Sequence, residues 1–385
     1  PPFEENKMAR QSLLLCVCIA IVALSVLESA SGANQLKLTL FDPSKYPLAV
    51  CNDGSPSGYY YKAATTQPNR WIFHLEGGWW CWDDPSCTGR WKGSPDMVSS
   101  KTWSSTRSPG GIFNVDPNLA PEWAGVNLVY MPYCSSDAWA GSGIGFVNGS
   151  AWQFRGKDVV RAVFDTFFGA EQMTQAQEVL FSGCSAGGQG LLYNLDAMAL
   201  FTAAKTPSGL RFKGLADSGW MMNFPSVQNP NTEIHTQFKA GWNLWKPEQS
   251  TCSFINPVDS FNCFFSPTAI SYLTTPVLIQ SSGYDSFQVP YDCCSPPFTT
   301  PQTQSYSKLM ATSTRDAMRT LIRQPHSVFS PSCFSHCLTE GRSFQRVKFP
   351  YSIRDKLNNW FFDIQPDFGP LIDDCGFNCS SSCWN

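Results

Sequence analysis

At residues 181–190 the chain reads FSGCSAGGQG. Gly183-Cys184-Ser185-Ala186-Gly187 fits G-x-S-x-G, a sharp strand-to-helix turn that exposes a serine hydroxyl. The apolar run Glu178–Phe181 precedes it, and residues 191–200 behind it read as a helix. Glycines stand where side chains would clash in such a turn.

Four other apolar runs end in the same manner. Arg70–Leu75 runs into Glu76-Gly77-Gly78, and Val126–Pro132 into Tyr133-Cys134-Ser135-Ser136-Asp137. Leu210–Ala216 runs into Asp217-Ser218-Gly219, and Pro276–Gln280 into Ser281-Ser282-Gly283-Tyr284-Asp285. Short apolar runs bounded by turn residues read as buried strands. Between them, Val160, Val163, Phe164, Phe167 and Phe168 recur at helical spacing over Gly156–Gly169, as do Met310, Ala317, Met318, Leu321 and Ile322 over Tyr306–Arg323. Alternating strands and helices predict an α/β fold with a mostly parallel central sheet and helices on both faces. Functional groups in such sheets collect at the carboxyl ends of the strands, where every polar cluster just named falls.

The chain has 385 residues, 43% hydrophobic and 14% aromatic, enough to bury a sizeable core. Charged residues make up only 15% and the formal net charge is -3, so nothing points to a nucleic-acid partner. Met8-Ala9-Arg10, the uncharged stretch Leu13–Leu27 and the small residues Ser29–Ala33 have the layout of a secretory signal peptide. Residues 1–33 are therefore read as an N-terminal extension and signal peptide, and the protein as secreted. The mature chain has no transmembrane segment in this reading. Residues 34–385 are read as one catalytic domain with disulfide-stapled insertions. It contains an irregular, cap-like insert at about 221–275 and a cysteine-rich tail from about 350 to 385.

Cysteine use agrees with export. Cys16 and Cys18 leave with the leader, so 14 of the 16 remain, an even number that implies disulfides. Cys81/Cys87, Cys333/Cys337 and Cys375/Cys379/Cys383 cluster. With four histidines in all, and an oxidising compartment, these clusters read as disulfides rather than zinc sites; no metal or cofactor is expected. Cys184, beside the serine, is a candidate free buried thiol, which would leave one other cysteine without a partner. Asn148-Gly149-Ser150 and Asn378-Cys379-Ser380 are glycosylation sequons, the second the weaker acceptor because of its central cysteine.

A serine hydroxyl needs a base to take its proton, and the base needs an orienting acid. On folds with this turn the chain order is serine, acid, histidine. His326 and His336 lie far enough downstream; His336, fixed between Cys333 and Cys337, is favoured. Asp285 follows the strand Pro276–Gln280, where the acid is carried. Asp217 lies one strand too early and reads as a cap, while Asp292 stays a second candidate. Oxyanion donors are expected from the Ala186 N–H and from the loop His74–Trp79, with Gly77, Gly78 and Trp79 as candidates. The alternative is a catalytically silent protein binding glycan or lipid through exposed tryptophans such as Trp79, Trp80 and Trp82.

LEGGWWC (75–81), PYCSSDAWAG (132–141), SGCSAGG (182–188), GLADSGW (214–220), NCFF (262–265), YDSFQ (284–288) and SPSCFSHC (330–337) together resemble the pectin acetylesterase/Notum family. The resemblance implies an α/β-hydrolase-like fold and a secreted serine carboxylesterase that removes an acyl group from oxygen. It places nucleophile, acid and base on Ser185, Asp285 and His336, and the oxyanion donors on Gly78 or Trp79 and Ala186. One branch of the family deacetylates pectin; Notum removes a palmitoleate lipid from a serine of Wnt proteins. Trp79 after Gly77-Gly78, CSSDAW and ADSGW are similar to Notum, whereas GCSAGG and YDSFQ are similar to the plant-type branch. An acylated polysaccharide and an acylated protein are both implied as substrate.

Overall fold

Period-two burial builds the sheet. Along residues 71–75, Trp71, Phe73 and Leu75 enter one core layer while Ile72 enters the other. Val179 and Phe181 alternate with Leu180, and Val277 and Ile279 with Leu278. Strands buried on both faces read as continuous apolar runs, which is why these segments are legible in sequence.

The computed structural model describes residues 35–384, except 115–119, 171, 228–232 and 365–368; the expected leader lies outside them. Its strands are β1 (Leu36–Leu40), β2 (Gly58–Lys62), β3 (Gln67–Leu75), β4 (Thr106–Arg107), β5 (Val126–Met131), β6 (Gly143–Val147), β7 (Ser150–Phe154) and β8 (Glu178–Cys184). There follow β9 (Arg211–Asp217), β10 (Val277–Gln280), β11 (Tyr284–Asp285), β12 (Ser327–Ser330), β13 (Phe334–Ser335), β14 (Lys348–Phe349), β15 (Tyr351–Ser352) and β16 (Leu371–Ile372). Ten of them form one sheet in the order β16-β12-β10-β9-β8-β3-β5-β2-β1-β4. From β16 to β5 every pairing is parallel, and β2, β1 and β4 close the far edge antiparallel.

Both faces are covered. Helices Gly156–Gly169 and Ala186–Ala203 bring Val160, Phe164, Phe167, Leu191 and Leu195 onto the Phe73 side. Helix Ile353–Phe361 brings Ile353, Leu357 and Phe361 onto the Ile72 side. The helix expected from Tyr306 begins earlier, at Pro301, because Thr300 and Thr303 form a capping box and proline suits the first turn. It ends at Leu321.

The segment at 221–275 is more regular than its composition suggests. It holds helices Ile234–Trp245, Thr251–Ile255 and Ser266–Ile270, clasped by a Cys252–Cys263 disulfide. Ile234, Phe238, Gly241 and Trp245 are buried along the first of these helices. That spacing was present in the sequence, but the surrounding proline and asparagine hid it. Among the described residues, no helix is long and apolar enough to cross a membrane.

The two sequons differ in setting. Asn148 is exposed at the tip of the β6–β7 hairpin, its Nδ2 donating to the Thr88 hydroxyl at 2.8 Å. The Asn378 Oδ1 accepts from the Phe334 N–H at 3.2 Å, and Cys379 is bonded to Cys375. Asn148→Gln is therefore expected to remove a glycan from chain made through a secretory route. Asn378→Gln should leave the gel mobility unchanged; loss of the mobility step in the second variant instead of the first would refute this.

Candidate active site

Strand β8 ends where the turn begins, and Ser185 takes φ 56 and ψ −122 there. Positive φ in a non-glycine residue costs on the order of 1–3 kcal/mol, so surrounding contacts must enforce it. The Ser185 N–H donates to the Asp217 carbonyl at 2.8 Å, and the Ser185 carbonyl accepts from the Gln189 N–H at 2.9 Å. A Cβ at Gly187 would lie 2.1 Å from the Leu75 oxygen, so only glycine lets the new helix cross β3 this closely. The helix start places its positive dipole end behind the serine.

Acid and base meet through a short parallel ladder. β11 pairs with β13 so that Asp285 stands opposite Ser335, with His336 next along the chain. The His336 Nδ1 lies 2.8 Å from the Asp285 Oδ2. The other carboxylate oxygen accepts the Phe287 and Gln288 N–H groups, each at 2.9 Å. Burial works against the charged imidazole, but Asp285, by charge and hydrogen bond, with Asp217 and Glu340 behind it, raises the His336 pKa above its ordinary value. Ser185, His336, Gly78, Trp79, Met97 and Phe287 all line one cleft of about 460 Å³.

Cys184 is not a free thiol. It is joined to Cys337, so the residue before the serine is bonded to the residue after the histidine across 153 positions. The sequence clusters divide differently from their spacing. Cys81 pairs with Cys87 and Cys375 with Cys379, but Cys333 pairs with Cys383. Cys51–Cys134, Cys252–Cys263 and the adjacent Cys293–Cys294 complete seven bridges, leaving none of the 14 cysteines over.

The rival residues fall elsewhere. His326 accepts from the Val277 N–H at the start of β10, the end of the sheet opposite Asp217 and Ser185. Asp217 is fully buried and accepts from the Leu338 and Thr339 N–H groups and the Thr339 hydroxyl. It caps the short turn Leu338–Glu340 after His336, and so positions the histidine loop without touching the ring's Nδ1. Asp292 is buried beside Gln288. Burial, opposed by Gln288 and aided by Glu233, pushes its pKa up to about 7.

The glycine-rich loop follows β3. Gly78 and Trp79 both have positive φ, 132 and 60. The Glu76 side chain braces this loop by accepting from the Tyr133 N–H and from Arg107. Buried in β3, His74 lies 2.9 Å from the Ser182 hydroxyl and 3.0 Å from the Glu340 carboxylate. Sequence reasoning missed Arg107, Glu340 and Met97 as cleft residues, for none carries a local signal. The tryptophans do not form an exposed platform: Trp80 is 2% exposed and stacks on Trp79 at 3.8 Å, and Trp82 is half-buried.

The family model described as pectinacetylesterase matches residues 29–384. The palmitoleoyl-protein carboxylesterase NOTUM of Drosophila melanogaster is 30% identical over 344 residues, 87% of this chain and 50% of that protein. The palmitoleoyl-protein carboxylesterase notum2 of Xenopus laevis is 30% identical over 351 residues, 88% of this chain and 71% of that protein. The chain thus spans half the length of the fly relative. The solved structure of the Wnt deacylase Notum from Drosophila superposes with a TM-score of 0.82 at 28% identity, covering 91% of this chain and 99% of that one.

Proposed function

Because the chain belongs to the pectinacetylesterase family, we propose that it is an exported serine carboxylesterase that hydrolyses an O-linked acyl ester through a Ser-His-Asp triad. The observation that carries the reading is the 2.8 Å contact between His336 and Asp285 in the cleft that Ser185 lines. Asp285 holds the Nδ1 proton, which leaves Nε2 to take the proton of the Ser185 hydroxyl. The serine oxygen attacks the ester carbonyl, and the Gly78 or Trp79 and Ala186 N–H groups stabilise the oxyanion. His336 then protonates the leaving alcohol. Water, deprotonated by the same imidazole, releases the acyl group from Ser185. Seven disulfides support export into an oxidising compartment.

The acylated group is an O-acetyl on polysaccharide or an O-fatty-acyl on protein. Trp79, Met97, Tyr130 and Phe287 line the cleft with the serine, beside Glu340 and the paired Glu76 and Arg107. A purely apolar pocket would add about 0.8 kcal/mol, or roughly fourfold in kcat/KM, for each methylene buried. The expected result with nitrophenyl esters is a burst of one nitrophenol per chain, followed by steady turnover. A kcat/KM highest at acetyl would assign the polysaccharide substrate and a steady climb to eight carbons or more the acylated protein, while no turnover of any ester would refute the esterase.

A further inference from the structure

Resting on the esterase reading, we propose that Arg90 is a positioning residue for the oxyanion site, holding the Gly78–Trp79 peptide with its N–H turned to the cleft. Arg90 stands in the last turn of helix Asp84–Gly93, which begins just after the glycine-rich loop. The helix is tied back to that loop by the Cys81–Cys87 disulfide and started by an Asp83–Ser86 capping box. One guanidinium nitrogen donates to the Gly78 carbonyl at 2.5 Å, and the other terminal nitrogen lies 3.5 Å from the Met97 sulfur. The guanidinium carbon is 5.2 Å from the centre of the Tyr133 ring. Among the described residues, no carboxylate forms an ion pair with it within 4.0 Å, and its Nε is sealed from solvent without a partner. The charge is spent on a backbone carbonyl rather than on a carboxylate.

A peptide unit is planar, and in the trans form its C=O and N–H point in opposite directions. Gly78 and Trp79 line the cleft, and Arg90 does not. The carbonyl is therefore gripped from behind, and the Trp79 N–H is sent to the cleft side. The grip is needed because the peptide is prone to turn over. Rotation of this unit changes ψ of Gly78 and φ of Trp79, and Trp79 is held at φ 60, a region that a bulky residue leaves readily. Gly78, with φ 132 and no side chain, offers little resistance to the rotation. A turned-over peptide would present a carbonyl oxygen where an oxyanion needs a donor. The positive charge behind the carbonyl also polarises the unit, which strengthens the N–H as a donor.

Arg90→Ala and Arg90→Lys are to be compared with the unaltered chain and with Ser185→Ala, using a short nitrophenyl ester and a trifluoromethyl ketone, whose adduct bears the oxyanion. In Arg90→Ala, kcat should fall about 10²-fold, the loss seen when one oxyanion donor is removed. KM should change less than about threefold, and ketone affinity should fall in parallel with kcat, as befits an interaction made only in the transition state. Arg90→Lys should recover about a tenth of the activity, since an ammonium reaches the carbonyl with a single bond. If Arg90→Ala does not fold, Arg90→Lys decides. Full kcat in either folded variant, or a loss confined to KM with ketone affinity unchanged, overturns the proposal while Ser185→Ala stays inactive. Turnover retained in Ser185→Ala would instead overturn the esterase reading, and this inference with it.

Discussion

Ser185→Ala is expected to lower kcat for a short nitrophenyl ester by about 10⁶-fold, to the residual level that binding and oxyanion stabilisation supply alone. The fold should not register the change. The Ser185 N–H and carbonyl, which hold the turn to Asp217 and Gln189, survive the substitution. Alanine carries the same Cβ, so the strain at φ 56 is neither relieved nor increased. The unfolding free energy should stay within about 0.5 kcal/mol of the unaltered chain. Turnover within tenfold of the unaltered chain, in protein that unfolds at the same denaturant concentration, would remove Ser185 as the nucleophile.

Asp285→Asn should cost about 10⁴-fold, the loss expected when an imidazole is held in the wrong tautomer. The geometry makes the direction of the error predictable. One carboxylate oxygen is fixed by the Phe287 and Gln288 N–H groups, so the oxygen of asparagine takes that place. Its NH₂ then faces the His336 Nδ1, which can only accept. The ring proton is driven to Nε2, where the serine proton should go. The pH profile gives an independent reading. The base works unprotonated, so kcat/KM rises as pH passes upward through the His336 pKa. Asp285 helps to hold that pKa above its ordinary value of 6.5, and burial opposes it. In Asp285→Asn the opposing burial remains and the charge is gone, so the acid limb of the residual activity should move to lower pH. An unmoved limb would assign His336 no carboxylate partner at 285.

Much of the arrangement was readable along the chain, and the reasons differ by element. Ser185 is legible because the turn imposes steric demands on consecutive positions, above all at Gly187. The central strands are legible because burial on both faces favours an apolar residue at most positions. Helix Gly156–Gly169 is legible from its repeat; helix Ile234–Trp245 has a repeat as regular but was lost among polar and proline-rich neighbours. Short strands such as β12, four residues long, carry too few positions to show a period. Arg90 and Glu340 left no trace in sequence, since their partners, a backbone carbonyl and a buried histidine, are defined only by position in space.

The amino-acid order by itself determined the alternation of strand and helix and the elbow at 185. These follow from local sterics and burial, which act over a few residues. Tertiary structure decided which imidazole meets which carboxylate across 51 positions, and that Cys184 pairs with Cys337 across 153. It also made Asp217 the cap of the histidine loop rather than the carboxylate bonded to the ring's Nδ1. Such choices depend on which strand ends the sheet brings side by side, and no window of sequence contains both ends of the contact.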